Sequence, residues 1–183
     1  LKKEQKRESG FTLLEVILVL LLVGIVSAVA GMGIVRAVEG YVFARDNSSM
    51  TQKAQLALSR MTREMIEIQG VTTAGGSSIM FTAPMGAVSD TRTIGLVGTT
   101  VKLAEGATAL ASGDTLVDNV ASLAMTYSKS DGSAWVLGTD AVNLLARIDI
   151  LLRLTRQDVG GGYLEFTTTV NPRNTGNVNA PVG

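Results

Sequence analysis

The sequence predicts an α+β protein in which a long N-terminal α-helix, its inner half transmembrane, packs by its outer half on a C-terminal antiparallel β-sheet. Residues 16–35 carry no formal charge. Residues 50–68 place their apolar side chains at spacings of three and four. Beyond residue 77 the apolar period falls to two.

The uncharged run reads VILVLLLVGIVSAVAGMGIV, twenty residues. At a rise of ~1.5 Å per residue it makes a helix of roughly 30 Å, the thickness of a bilayer's hydrocarbon core. Before it, Lys2, Lys3, Lys6 and Arg7 outweigh Glu4 and Glu8. The positive-inside rule keeps that short basic segment cytoplasmic and sends everything after Val35 across the membrane. The expected topology is therefore single-pass and N-in.

An amphipathic pattern takes over after Val35. Met50, Ala54, Ala57, Leu58, Met61, Met65 and Ile68 recur among the polar positions Lys53, Arg60, Arg63, Glu64 and Glu67, which predicts that the helix continues to about Gln69. Gly40 and residues 46–49 are weak points within it. Gly70 is placed as a left-handed cap, and the following TTAGGSS (residues 72–78) has neither helical nor strand period.

The clearest strand covers residues 147–154, where Ile148, Ile150, Leu152 and Leu154 alternate with Arg147, Asp149, Leu151 and Arg153. Gly160, Gly161 and Gly162 follow, then Leu164, Phe166, Thr168 and Val170 alternate again, so the two runs predict an antiparallel hairpin. Earlier strands are expected at 78–82, at 93–97 and 100–103 across a Gly98-Thr99 turn, and at 121–128 and 134–137 across a turn at 130–133. Consecutive hairpins after one long helix leave the helix's outer half to cover a sheet face. Its inner half has nothing of its own to pack on.

Composition removes several classes of function. At 183 residues there is room for one modest domain plus one long element. The formal net charge is zero and no basic cluster follows residue 10, so no nucleic-acid groove is expected. Cysteine and histidine are both absent, which removes thiolate nucleophiles, Ser-His pairs and the common zinc ligand sets. The glycine triplet at 160–162 lacks a following Lys-Ser/Thr and reads as a turn rather than a phosphate loop. Asp114 with Asp118, or Asp131 with Asp140, lacks the alternating ligands of a calcium loop, so turn and cap roles are expected. Tyr127 and Trp135 flank a turn and predict a cross-strand aromatic pair in the core. No catalytic constellation, metal or cofactor is expected.

The informative stretch is KRESGFTLLE, residues 6–15, leading directly into the apolar run. It resembles the type IV prepilin signature. In that family a basic leader ends in glycine, a membrane-embedded prepilin peptidase cuts after it, and the new N-terminal residue is N-methylated. The resemblance places cleavage between Gly10 and Phe11 and methylation on Phe11. Glycine lets a protease approach the backbone closely, and a cut there keeps the apolar helix in the product. Glu15 stands out, because a carboxylate one turn into an apolar segment costs on the order of 2.5 to 3.5 kcal/mol on insertion scales. The resemblance gives it a role in subunit assembly, paired with the N-terminal amine of a neighbour. An ordinary signal peptide cut at the Ala28-Val29-Ala30 site is the competing reading. Glu15 inside the apolar segment and an amphipathic helix where that mature chain would begin stand against it.

The rest of the chain is similar to minor pilins or pseudopilins of the W and J kind, through ALSRMTREM (57–65), LVDNVASLAMTYSKSDG (116–132) and FTTTVNPRN (166–174). Gly24 fits the common helix glycine, whereas Met32 stands where many major pilins carry proline, and the C-terminal cysteine pair is missing. The resemblance implies a leader at 1–10, a transmembrane and filament-core helix at 11–35, an amphipathic continuation at 36–69, a β-rich head at 70–174 and a flexible tail at 175–183. The implied partners are a prepilin peptidase, other pilin or pseudopilin subunits, an inner-membrane assembly platform, and membrane lipid before assembly. The resemblance also implies a bacterial inner membrane, single-pass and N-in, before assembly, and the periplasm or a cell-surface filament afterwards. A major pilin, a pseudopilin shaft subunit or a membrane-anchored domain that never polymerises remain alternatives.

Overall fold

One helix, Leu13–Met65 (α1), runs without a break through Gly40 and residues 46–49. The structure, a computed structural model, describes residues 10–85, 88–156 and 161–173. The leader residues 1–9, Gly160, Asn174 and the tail 175–183 lie outside the described residues. Two compact units divide between Asp46 and Asn47.

The first unit is helical from Leu13, and none of its described residues is buried. Its 18-residue apolar window makes α1 long and apolar enough to cross a membrane. The second unit holds the rest of α1 and eight strands in two antiparallel sheets, where a single sheet was expected. The first sheet contains Gly70–Ala74 (β1), Ser78–Met85 (β2), Val88–Val97 (β3), Thr100–Glu105 (β4) and Asp114–Val117 (β5), in chain order. Val120–Ser128 (β6), Arg147–Thr155 (β7) and Tyr163–Val170 (β8) form the second, again in chain order. Both are meanders, as expected of consecutive hairpins.

Period and burial agree closely in the second sheet. Ile148, Ile150, Leu152 and Leu154 of β7 are all buried, and Val170 of β8 lies opposite Ile148. On the first sheet Ile79, Phe81, Ile94 and Leu103 point inward, with Ile79 opposite Ile94 and Ile94 opposite Leu103. From α1, Ala54, Ala57, Leu58, Met61 and Met65 enter the same core. The small residues at 54 and 57 let the helix backbone come close to its neighbours, while the methionines fill irregular gaps.

Four local expectations are corrected. The helix ends at Met65 rather than Gln69, because the next residues are drawn into tertiary pairing. The Gln69 N–H donates to the Thr82 carbonyl at 2.8 Å, and Ile68 is fully buried. Gly70 is no left-handed cap; it opens β1, where a Cβ would lie 2.8 Å from Thr82 Oγ1. Residues 70–74 of the expected connecting stretch pair with β2. Residues 134–137 form no strand, only isolated bridges from Ala134 to Ser128 and from Leu137 to Asp140. Pairing stops there because Asp140 competes for the backbone: its Oδ2 accepts the Val136 N–H at 2.9 Å, and its own N–H donates to the Val136 carbonyl at 2.9 Å.

Glu64, one of the polar positions of the amphipathic pattern, is buried in the core. Its carboxylate meets Arg60 one turn earlier at 2.7 Å and Arg92 on β3. Arg92 lies opposite Phe81, on the inward face of the first sheet. Two guanidiniums on one carboxylate supply what desolvation removes, and removing one side of such a buried pair typically costs about 3 to 5 kcal/mol.

The chain passes from the first sheet to the second at Asn119, whose φ of 56° is the one positive value among described non-glycine residues. Asparagine visits this region more readily than most residues. Its carbonyl accepts the Thr155 N–H at 2.7 Å, and the Val120 N–H donates to the Thr99 carbonyl at 2.9 Å. Asn119→Val is expected to destabilise the second unit by about 1–2 kcal/mol, whereas Asn119→Gly should stay within about 0.5 kcal/mol of the parent. Denaturant melts of the detergent-solubilised chain check both, and equal losses for the two variants would remove the backbone explanation.

Candidate functional site

The N-terminal end of α1 is built by Thr12. Gly10, Phe11 and Thr12 are outside the helix, which starts at Leu13. The Glu15 N–H lies 3.1 Å from the Thr12 carbonyl and 3.3 Å from Thr12 Oγ1, and the Val16 N–H donates to the same carbonyl at 3.3 Å. Thr12 is thus the N-cap, satisfying backbone donors that have no partner within the helix. The Thr-x-x-Glu spacing of Thr12 and Glu15 is the local sequence signature of such a cap. The peptide bond between Gly10 and Phe11 therefore sits in non-helical backbone, two residues ahead of the first helical turn. Both residues are exposed.

Glu15 lies in the first turn of α1, exposed, at the third helical position. The partial positive charge of a helix N-terminus favours a carboxylate there by about 0.3–1 kcal/mol. That is well below the ~2.5–3.5 kcal/mol for placing a charge in the apolar core. Among the described residues Glu15 forms no ion pair. Local helix chemistry therefore accounts for the smaller part of what placing a carboxylate in an apolar segment costs.

The other expected positions fall elsewhere. Tyr127 and Trp135 meet edge-to-face with ring centroids 6.2 Å apart. Trp135 reaches the core from a loop, not from a paired strand, and its Nε1–H donates to the Ala141 carbonyl at 2.9 Å. The Tyr127 hydroxyl donates to the Gly75 carbonyl at 2.9 Å, and burial pushes the phenol well above its ordinary pKa. Gly161 and Gly162 both have positive φ, as a turn between β7 and β8 requires. Asp118 pairs with Lys53 at 3.0 Å, and Asp114 opens β5. No group of three or more acidic side chains that could hold a metal ion occurs among the described residues.

Asp131 and Asp140 hold the loop that carries Trp135. The Ser133 hydroxyl and N–H donate to Asp131 at 2.7 and 2.8 Å, and these bonds keep its pKa below the ordinary aspartate range. Asp140 is lowered too, chiefly by the Val136 N–H and then by Lys129, whose ammonium is 3.2 Å away.

A family model described as the prokaryotic N-terminal methylation motif matches residues 5–31. The match contains Gly10, Phe11, Thr12, Glu15 and most of the uncharged run. No curated protein matches the chain. The motif supports a type IV pilin-like structural protein, rather than an enzyme, with a membrane-anchoring N-terminal helix.

Depressed folded-state pKa values make Asp131 and Asp140 stabilising above the unfolded value of about 3.9, and that contribution is lost as pH falls through the lower folded values. Trp135 is the one tryptophan in the sequence and is buried. Its emission is expected to hold steady down to about pH 4 and to shift to the red below that. Asp140→Asn should bring the shift to neutral pH, and a spectrum unaffected by either change would show that these carboxylates do not hold the loop.

Proposed function

We propose that the chain is a subunit of a type IV pilus or type II secretion pseudopilus, cut by a prepilin peptidase after Gly10, N-methylated on Phe11 and assembled through α1. The observation that carries this reading is the methylation motif at residues 5–31 opening a helix whose apolar first unit is unburied. On this reading residues 1–10 are the leader, 11–35 the transmembrane and filament-core helix, 36–69 its amphipathic continuation, 70–174 the head and 175–183 the tail. The subunit waits in the inner membrane, N-in, and then enters a filament with other pilin or pseudopilin subunits at an assembly platform.

The likeness of residues 57–65, 116–132 and 166–174 to minor subunits of the W and J kind favours a minor role, as does Met32 in place of the proline of many major pilins. Thr12 adds a physical rationale for the cut. A protease binds extended backbone, and a cap placed two residues beyond Gly10 stops the helix from propagating into the scissile bond. Mass spectrometry of the membrane-extracted protein is expected to find a chain beginning with N-methylated Phe11. A mature chain beginning at Gly31 would overturn the assignment in favour of an ordinary signal peptide.

Glu15 is the proposed assembly residue. Cleavage creates an amine at Phe11, and N-methylation keeps its positive charge. Docking beside a growing filament would bring that amine and a neighbour's Glu15 together where water is scarce and their attraction is strong. Glu15→Ala is expected to leave insertion and cleavage largely intact while incorporation into sheared filaments falls by roughly tenfold or more, the equivalent of about 1.4 kcal/mol. Crosslinking to partner pilins at equal membrane levels gives the comparison. Unchanged incorporation would leave apolar helix packing alone to drive assembly.

A further inference from the structure

Asp131 and Gly132 are the one place in the sequence where aspartate or asparagine directly precedes glycine. Glycine has no Cβ to shield its nitrogen, so ring closure is open to this pair. The Gly132 nitrogen attacks Asp131 Cγ with its lone pair, the N–Cγ bond forms as the Cγ–OH bond breaks, and the hydroxyl leaves with the amide proton as water. A second water then opens the succinimide. Attack at Cγ returns aspartate. Attack at the main-chain carbonyl breaks its bond to nitrogen and leaves isoaspartate, with the main chain running through Cβ.

The structure holds both reacting groups away from that path. The Gly132 N–H donates to the Lys129 carbonyl at 3.0 Å, the Lys129 N–H donates to the Ser133 carbonyl at 2.8 Å, and Gly132 has a φ of 84°. These features make a three-residue hairpin loop, a type I turn over Ser130 and Asp131 closed by a glycine of positive φ. Asp131 thus takes the second central position, where ψ is about 0° and its own nitrogen eclipses that of Gly132. Ring closure needs Cβ eclipsed with that nitrogen instead, a rotation of roughly a third of a turn about Cα–C that breaks the turn. Asp131 Oδ1 is held as well, by the Ser133 N–H and hydroxyl. Those bonds favour the carboxylate, whereas the reactive form is the neutral acid, whose hydroxyl can leave as water. Residues 130–134 are exposed, so water reaches every one of these bonds.

We propose that Asp131 is a site of spontaneous isomerisation to isoaspartate, restrained by this turn, and that the conversion unfastens the loop carrying Trp135. The product cannot keep the turn. It has an extra main-chain carbon ahead of Gly132, and Asp131 Cγ becomes a main-chain carbonyl carbon, so Ser133 loses its acceptor and the hairpin loses its register. The bridge of Ser128 with Ala134 and the bond from the Trp135 N–H to the Tyr127 carbonyl, 2.9 Å, come next along the chain. Trp135 is buried, and its place depends on that register. The change outlasts a return to neutral pH, which separates it from protonation of Asp131. It concerns the head and stands whether or not the chain enters a filament.

The full chain in detergent is aged at neutral pH and 37 °C beside the same chain in guanidinium chloride and the free hexapeptide KSDGSA (residues 129–134). Isoaspartate at 131 is read after digestion by electron-transfer fragmentation, which separates it from aspartate of the same mass. The peptide and the unfolded chain are expected to isomerise at least about tenfold faster than the folded chain, as a turn that must open first requires. Ser133→Ala, which removes one of the bonds to Oδ1, should raise the folded rate roughly threefold. The folded fraction that has isomerised should emit to the red of the parent through Trp135, whereas Asp131→Glu, which keeps the charge but not the five-membered ring, should age without that shift. Equal rates for the folded chain and the hexapeptide overturn the restraint by the turn. A hexapeptide and an unfolded chain that stay free of isoaspartate overturn the site itself. Isoaspartate at 131 with unchanged tryptophan emission overturns the unfastening of the loop.

Discussion

The leucines, valines and isoleucines of residues 16–35 stand exposed along α1, and each of them would gain about 1.5–3 kcal/mol from full burial. Water is thus the wrong surrounding for this half of the helix, and the chain's own core cannot cure that: every fully buried apolar side chain lies at Ala54 or beyond. The remaining candidates are lipid and the helices of other subunits. On the proposed function lipid would cover the run before assembly and other subunits' helices would cover it afterwards, so the same surface would serve two states. The folded core is correspondingly confined to the second unit, where two meander sheets and the last three turns of α1 close around one another.

Polar chemistry marks both ends of the helix, with opposite consequences. At the C-terminal end Glu64 is buried, yet Arg60 and Arg92 hold it, which ties α1 to β3 through one carboxylate. At the N-terminal end Glu15 is exposed in the first turn, where Thr12 and the helix dipole offer only a fraction of a charge. A carboxylate with two guanidiniums is spent on the fold, whereas Glu15 pairs with no cation among the described residues. That difference in partners is what supports the proposal that Glu64 serves the fold and Glu15 serves assembly.

The cap at Thr12 also joins processing to structure. Helix propagation is cooperative once nucleated, so an apolar segment with no cap would extend its helical order toward the basic residues before it. Thr12 satisfies the first free donors and leaves Gly10 and Phe11 in non-helical backbone. On the proposed function, cleavage and assembly chemistry would fall within six residues, Gly10 to Glu15, around the start of a helix of 53 residues.

Much of this was legible in the chain because it depends on period and local chemistry. The charge-free run, the spacing of Met50 to Met65, the alternation at 147–154 and the Gly10-Phe11 junction each depend on near neighbours in sequence, and α1, β7, β8 and the methylation motif follow from them. The Thr12 cap was equally local and could have been read from its spacing to Glu15. Tertiary structure alone decided the rest. Residues 66–69 leave the helix because the Thr82 carbonyl captures the Gln69 N–H. Glu64 turns inward because Arg92, 28 positions away, waits on the inner face of β3. Residues 134–137 stop at isolated bridges instead of a strand because Asp140 folds back on Val136, and the strands divide into two sheets at Asn119 because a positive φ there redirects the chain. Each of these is settled by a partner that only the folded chain brings within reach, whereas periodicity reports only which face of an element is apolar.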